Sequence, residues 1–108
     1  MRQTKYGNKK TEYNGILFHS KKEAEYCAEL DMRKKASKPS EKVVSYEMQV
    51  PFQIIHFEKK ICKYLADFVV KYADGSEKVI DVKGMRTAIY KLKKKLVEAQ
   101  FGIEIHEV

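Results

Sequence analysis

The chain has 108 residues, 44% of them hydrophobic and 34% charged, with 22 Lys and Arg against 15 Asp and Glu and a formal net charge of +7. That length holds one domain with a real core and little room for a second, and the composition excludes a disordered chain. The apolar runs are too short to span a bilayer, and Met1-Arg2-Gln3-Thr4-Lys5 leads into no apolar segment of the kind that a secretory signal needs.

Residues 1–10, with Lys5, Lys9 and Lys10, have no apolar period and read as a basic flexible arm; residues 11–108 read as a single domain. Asn14-Gly15, between Tyr13 and Ile16, predicts a small hairpin. Ser20-Lys21-Lys22-Glu23 has the form of a capping box and opens a helix running to about Lys35. The apolar stripe of that helix is Tyr26, Cys27 and Leu30, and Glu23 lies in line with it. A loop follows over Ala36 to Glu41. Val43 to Gln49 reads as a strand, continued beyond Pro51 by Phe52 to Phe57 as a bent or edge segment. Ile61 to Tyr72 is the longest strand. Ala73-Asp74-Gly75 is a turn, and Glu77 to Lys83 is the next strand. Gly84 ends it, and Thr87 caps a second helix over about Ala88 to Phe101. Its predicted stripe is Ile89, Leu92, Leu96 and Ala99, with Lys91, Lys94 and Lys95 projecting elsewhere. Ile103 to Val108 alternates as a last strand. The sum is an α/β domain, a small sheet flanked by helices.

Cys27 and Cys62 lie in apolar stretches with no Cys or His at ligand spacing, so they read as buried free thiols of a reducing compartment and not as a zinc site. The positive balance suits a polyanion. No basic helix carries the broad exposed apolar face that a membrane surface wants, so nucleic acid is the preferred partner. His56 and His106 sit among strand residues and read as structural.

Asp67 and Asp81 interrupt apolar strands, where aspartate is depleted unless it pairs with a cation or holds a metal. Lys83, two residues beyond Asp81, shares its face of the strand. The turn decides whether Asp67 joins them. A two-residue turn at Asp74-Gly75 sets Asp67 opposite Val82. A three-residue loop with Gly75 last sets Asp67 opposite Asp81, and this is the register we take. Two carboxylates placed so repel, and a divalent cation between them reverses the sign. Glu23 has a full explanation as a capping residue, yet its stripe aims it at the sheet, with Glu25 as the fallback. Glu23, Asp67, Asp81 and the carbonyl of Val82 make an all-oxygen set suited to Mg²⁺, with Mn²⁺ as a substitute. Lys83 would serve the attacking water or the phosphate. Gln49, Arg86, Lys91, Lys93 and Lys94, with Lys5, Lys9 and Lys10 of the arm, are the candidate DNA contacts.

Asp67 followed by Asp81-Val82-Lys83 after a hairpin, with a helical Glu23 before them, resembles the PD-(D/E)xK nuclease superfamily. The chain is most similar to a short phage and prophage endonuclease family, often labelled Holliday junction resolvases. The shared runs are Lys9-Lys10-Thr11, Phe18 with Ser20-Lys21-Lys22-Glu23-Ala24, Gln49 with Pro51, Ala66-Asp67-Phe68, Asp81-Val82-Lys83-Gly84 and Tyr90-Lys91-Leu92-Lys93. The resemblance implies a restriction-endonuclease-like αβββαβ core with a mixed central sheet. It implies Mg²⁺-dependent endonuclease activity on branched DNA, a homodimer, and action in the host cytoplasm. It assigns metal binding to Asp67 and Asp81, the nucleophilic water to Lys83, and completion of the metal shell to Glu23. This chain has Ala66 where the motif nominally has proline, and His19 where relatives are expected to carry an acid.

Overall fold

The computed structural model describes residues 10–82 and 86–108. The opening hairpin pairs β1 (Thr11–Tyr13) with β2 (Ile16–Phe18) around Asn14 and Gly15, both at positive φ as such a turn requires. Helix α1 (Lys21–Arg33) starts at Ser20, whose hydroxyl oxygen accepts the Glu23 N–H at 3.1 Å. Then come β3 (Val43–His56), β4 (Lys59–Tyr72), β5 (Glu77–Asp81), α2 (Ala88–Phe101) and β6 (Ile105–Glu107). The main sheet has the order β3-β4-β5-β6, antiparallel except for the parallel pair β5-β6 that α2 connects. This is the mixed sheet flanked by helices that the sequence predicts. Among the described residues no helix is long and apolar enough to cross a membrane.

Two cores lie against the sheet. Ala24, Cys27 and Leu30 of α1 meet Val43, Phe68, Val70, Tyr72, Ile80 and Val82. Tyr90 and Val97 of α2 meet Ile54, Tyr64, Ala66, Val69, Val79 and Ile105. The β3-β4 hairpin contributes to both by changing sides halfway along. Phe68, Val70 and Tyr72 pack towards α1, whereas Tyr64 and Ala66, of the same parity, pack towards α2. On β3, Tyr46 and Met48 lean on the first core and Val50 and Phe52 on the second. The change falls at Gln49 and Asp67, which face each other between the pairs Met48–Phe68 and Val50–Ala66. Gln49 is left-handed there (φ 52°), a conformation that costs a non-glycine residue about 1–2 kcal/mol. The two apolar segments predicted on either side of Pro51 are thus one bent edge strand. Pro51 is tolerated because, among the described residues, β3 is the edge strand of the sheet.

The stripe expected on α2 is not the buried one. Tyr90 and Val97 are buried, while Ile89, Leu92 and Leu96 are exposed, Leu92 to 59%. Lys94, expected among the outward residues, is half-buried, as is Lys93: Lys93 donates to the Lys63 carbonyl at 3.1 Å, and Lys94 pairs with Glu98 at 3.7 Å. The helix is rotated because the Tyr90 hydroxyl has a carboxylate to reach, Glu107 Oε2 at 2.7 Å, and the lysine stems cover apolar surface while their heads find oxygen. Cys27 is buried and free as expected; Cys62 is free but only half-buried.

The rotation sets an expected outcome in urea denaturation. Val97→Ala should lose about 2 kcal/mol, and Leu92→Ala should stay within about 0.5 kcal/mol of the parent. The reverse ranking would mean that α2 presents its predicted stripe after all.

Candidate active site

The site is built on the register of the β4-β5 hairpin. Gly75, at φ 90°, ends a three-residue loop in which the Tyr72 N–H meets the Ser76 carbonyl at 2.9 Å. Pairing then runs from Lys71–Glu77 to Phe68–Ile80, and the next step sets Asp67 against Asp81. Asp81 is in turn the register partner of Glu107 on β6. With Gln49 facing Asp67 from β3, one polar row crosses all strands of the sheet at the carboxyl ends of the parallel pair, where open α/β sheets place their ligands.

Each member of the row is held by a donor. The Val82 N–H donates to Asp67 Oδ2 at 2.8 Å, and Gln49 Nε2 donates to Asp67 Oδ1 at 3.3 Å. The Tyr64 hydroxyl donates to Asp81 Oδ2, deep in the second core. Glu107 takes the Tyr90 hydroxyl on one oxygen and Arg86 Nη2 on the other, at 2.9 Å. Asp67 and Asp81 stand close enough that the Asp81 carboxylate acts on Asp67 and disfavours its ionised form.

Burial pushes the Asp67 carboxyl up, to about 7. The Val82 N–H opposes this by favouring the ionised form, and the Asp81 and Glu23 carboxylates add to the rise. Burial and the carboxylate of Asp81 also raise the Tyr64 hydroxyl, which therefore stays a donor. Burial and Glu107 do the same for Tyr90.

Glu23 plays both parts that the sequence leaves open. It is buried at the start of α1 and takes the Ser20 hydroxyl at 3.3 Å, as a capping residue does. It also acts electrostatically on Asp67. Among the described residues, however, no three His, Cys, Asp or Glu side chains gather at the distances of a metal cage. Asp67 and Asp81 form the close pair, and Glu23 stands off from it. Glu25 and His19 are exposed; Glu25 pairs with Lys21 at 3.8 Å and lines a shallow cavity with Val82. Lys83, Lys5 and Lys9 lie outside the described residues; Lys10 is exposed at their margin.

The residues present suit a hard divalent cation. The donors are all oxygen, two carboxyls stand opposite one another in a half-desolvated place, and they repel once both ionise. Tyr64 and Glu107 are not singled out by the sequence, and Tyr90 enters there only as part of a shared run. Tyr64 stands three residues before Asp67, but only the bend of β4 swings it towards Asp81. Glu107 enters the row only through the parallel pairing of β6.

The raised carboxyl gives a pH dependence. Asp67 ionises near pH 4 when unfolded and about pH 7 when folded. Between those values the folded state keeps a proton that the unfolded state has released, so stability falls as pH rises through the window. In EDTA, Asp67→Asn should match the parent near pH 4. At pH 8 it should melt about 5 °C higher, the effect of about 1 kcal/mol in a domain of this size. Calorimetry across the range checks this; parallel profiles would mean that Asp67 ionises normally.

No curated protein and no solved structure matches the chain. One family model does, over residues 3–106, and its description is a protein of unknown function, DUF1064. That match takes in both helices, Gln49, Asp67 and Asp81 of the sheet row and all but the ends of the sequence, and the chain therefore belongs to the DUF1064 family.

Proposed function

We propose that the chain is a small metal-dependent endodeoxyribonuclease of PD-(D/E)xK type, acting on branched DNA as a homodimer. The observation that carries this reading is that the register sets Asp67 opposite Asp81 at the end of the parallel strands, near enough for one carboxylate to raise the other. Such a juxtaposition is costly in a folded protein, and a divalent cation gives it a purpose.

Asp67, Asp81 and the Val82 carbonyl would hold Mg²⁺ or Mn²⁺. When bound, the ion polarises a phosphoryl oxygen and neutralises charge that builds up in phosphodiester hydrolysis. The side chains around it divide the remaining work. The Gln49 amide and the Val82 N–H aim Asp67, and the Tyr64 hydroxyl aims Asp81. Glu23 strengthens the negative field that draws the cation in. Lys83, assigned from the sequence alone, orients the attacking water or holds the phosphate as a point charge. Arg86 and Lys94 are engaged by Glu107 and Glu98, so the phosphate track falls to the exposed Lys91 and Lys95, to Lys93, and to the basic arm. A two-fold pair of chains would cut facing strands symmetrically.

The test is cleavage of single-stranded, duplex, flap and four-way-junction DNA with each metal. Wild-type protein should cut branched DNA with Mg²⁺. Asp81→Asn, folded by circular dichroism, should lose about a thousandfold or more of the rate, as the loss of several kcal/mol of charge stabilisation implies. Binding without cutting in either metal would leave a non-catalytic nucleic-acid module on the same fold. Affinity should also fall steeply between 50 and 200 mM salt if several lysines meet phosphates, by about a hundredfold or more; a flat response would remove the basic track.

A further inference from the structure

The β3-β4 hairpin ends in a turn that its residues do not suit. His56 pairs with Lys59, and Phe57 and Glu58 form a two-residue connection with φ of 47° and 66°. Asn and Gly take such positions readily, whereas a bulky residue at positive φ is an outlier. Phe57 is nevertheless 86% exposed, so it contributes little to the core that would justify the strain. Its ring lies against His56, with centroids 4.3 Å apart. Beside it, Ile55, Ile61, Leu96 and Ala99 line an apolar groove of about 560 Å³ between the hairpin and α2.

The charge around this feature identifies what it fits. Lys59, Lys60 and Lys63 are exposed along the outer half of β4, beyond the stretch that pairs with β5, with Glu58 as the acid at the tip. Lys93 reaches the Lys63 carbonyl from α2, which joins these lysines to those of the helix. A second copy docked here about a two-fold axis would bring like charges together, and lysines on an open strand edge oppose pairing with another sheet. A polyanion with flat apolar rings matches both halves of the surface: phosphates for the lysines, a base for the aromatic.

We propose that Phe57, backed by His56, is a wedge that stacks on an exposed base where nucleic-acid strands part, and that this hairpin tip selects branched over linear DNA. The proposal rests on the nuclease reading for its substrate and extends it by naming the element that reads the branch. The tip stands at the far end of the hairpin from Asp67, about 25 Å along an extended strand. Recognition and cleavage are therefore carried by separate parts of the β3-β4 hairpin.

Phe57→Asn separates the wedge from the fold, because asparagine suits the left-handed turn and leaves nothing to stack. It should melt no lower than wild type. Binding is measured by titrating a four-way junction with 2-aminopurine at the crossover, and a linear duplex of equal length, with Ca²⁺ in place of Mg²⁺. Wild type should prefer the junction and change its 2-aminopurine fluorescence. Phe57→Asn should lose that change and about tenfold in junction affinity, with duplex affinity within about twofold. Phe57→Trp should keep the preference. If Phe57→Asn binds both as wild type does, the wedge is wrong and the nuclease reading stands; if wild type binds DNA without preferring the junction, the wedge is wrong and the nuclease reading keeps its metal-dependent chemistry but loses its branched substrate. If wild type binds no DNA of any form, both fall. If Phe57→Asn turns a dimer into a monomer by light scattering with DNA binding unaltered, the tip is a self-interface and the wedge is overturned.

Discussion

Two carboxyls set opposite one another inside a sheet are the constraint around which the rest of this molecule is arranged. Asp67 and Asp81 stand opposite one another, and each is supplied with a donor from a different element: a backbone N–H and the Gln49 amide for one, the Tyr64 hydroxyl for the other. Glu107 extends the row and is satisfied from α2 and from Arg86. Buried or half-buried carboxylates are tolerated only when paired or hydrogen-bonded. The supporting residues therefore answer to the acids rather than the acids to the core.

The bend at Gln49 and Asp67 is what makes this possible. A straight β3-β4 hairpin would offer one face to α1 and the other to α2 along its whole length. The bent hairpin gives the same parity of side chain first to one core and then to the other. Tyr64 thereby swings to the α2 side and reaches Asp81. The strained φ of Gln49 falls at the same point as the acid that it touches. Strain of this kind persists only where the surroundings over-determine it, and it gathers at working sites.

The outer half of the hairpin obeys a different rule. Past the reach of β5 it gains cover from α2 on one side and leaves Phe57, Ile61 and its lysines outside. The orientation of α2 belongs to the same compromise. Turning Tyr90 to Glu107 and Val97 to the sheet leaves Ile89 and Leu92 exposed and Leu96 at the edge of the groove beside the hairpin. An apolar surface beside a basic one is a poor way to stay inert in water and a suitable one for meeting bases and phosphates.

Local chemistry was enough to read much of this from the sequence. Asn14-Gly15, the Ser20 cap, Gly75 and the Thr87 cap act within a few residues, so the opening hairpin, both helix starts and the three-residue loop were legible, and with the loop came the register that sets Asp67 against Asp81. That the pair was worth attention was also legible, because acids inside apolar strands need a reason. The rest was decided by contacts between residues far apart in the chain. The parallel pairing of β6 brought Glu107 into the row, and the bend of β4 brought Tyr64 to Asp81. The demand of Glu107 for a hydroxyl turned α2 away from its most apolar stripe. Periodicity cannot foresee such a rotation, since it counts which residues are apolar and not which partner a polar group must reach.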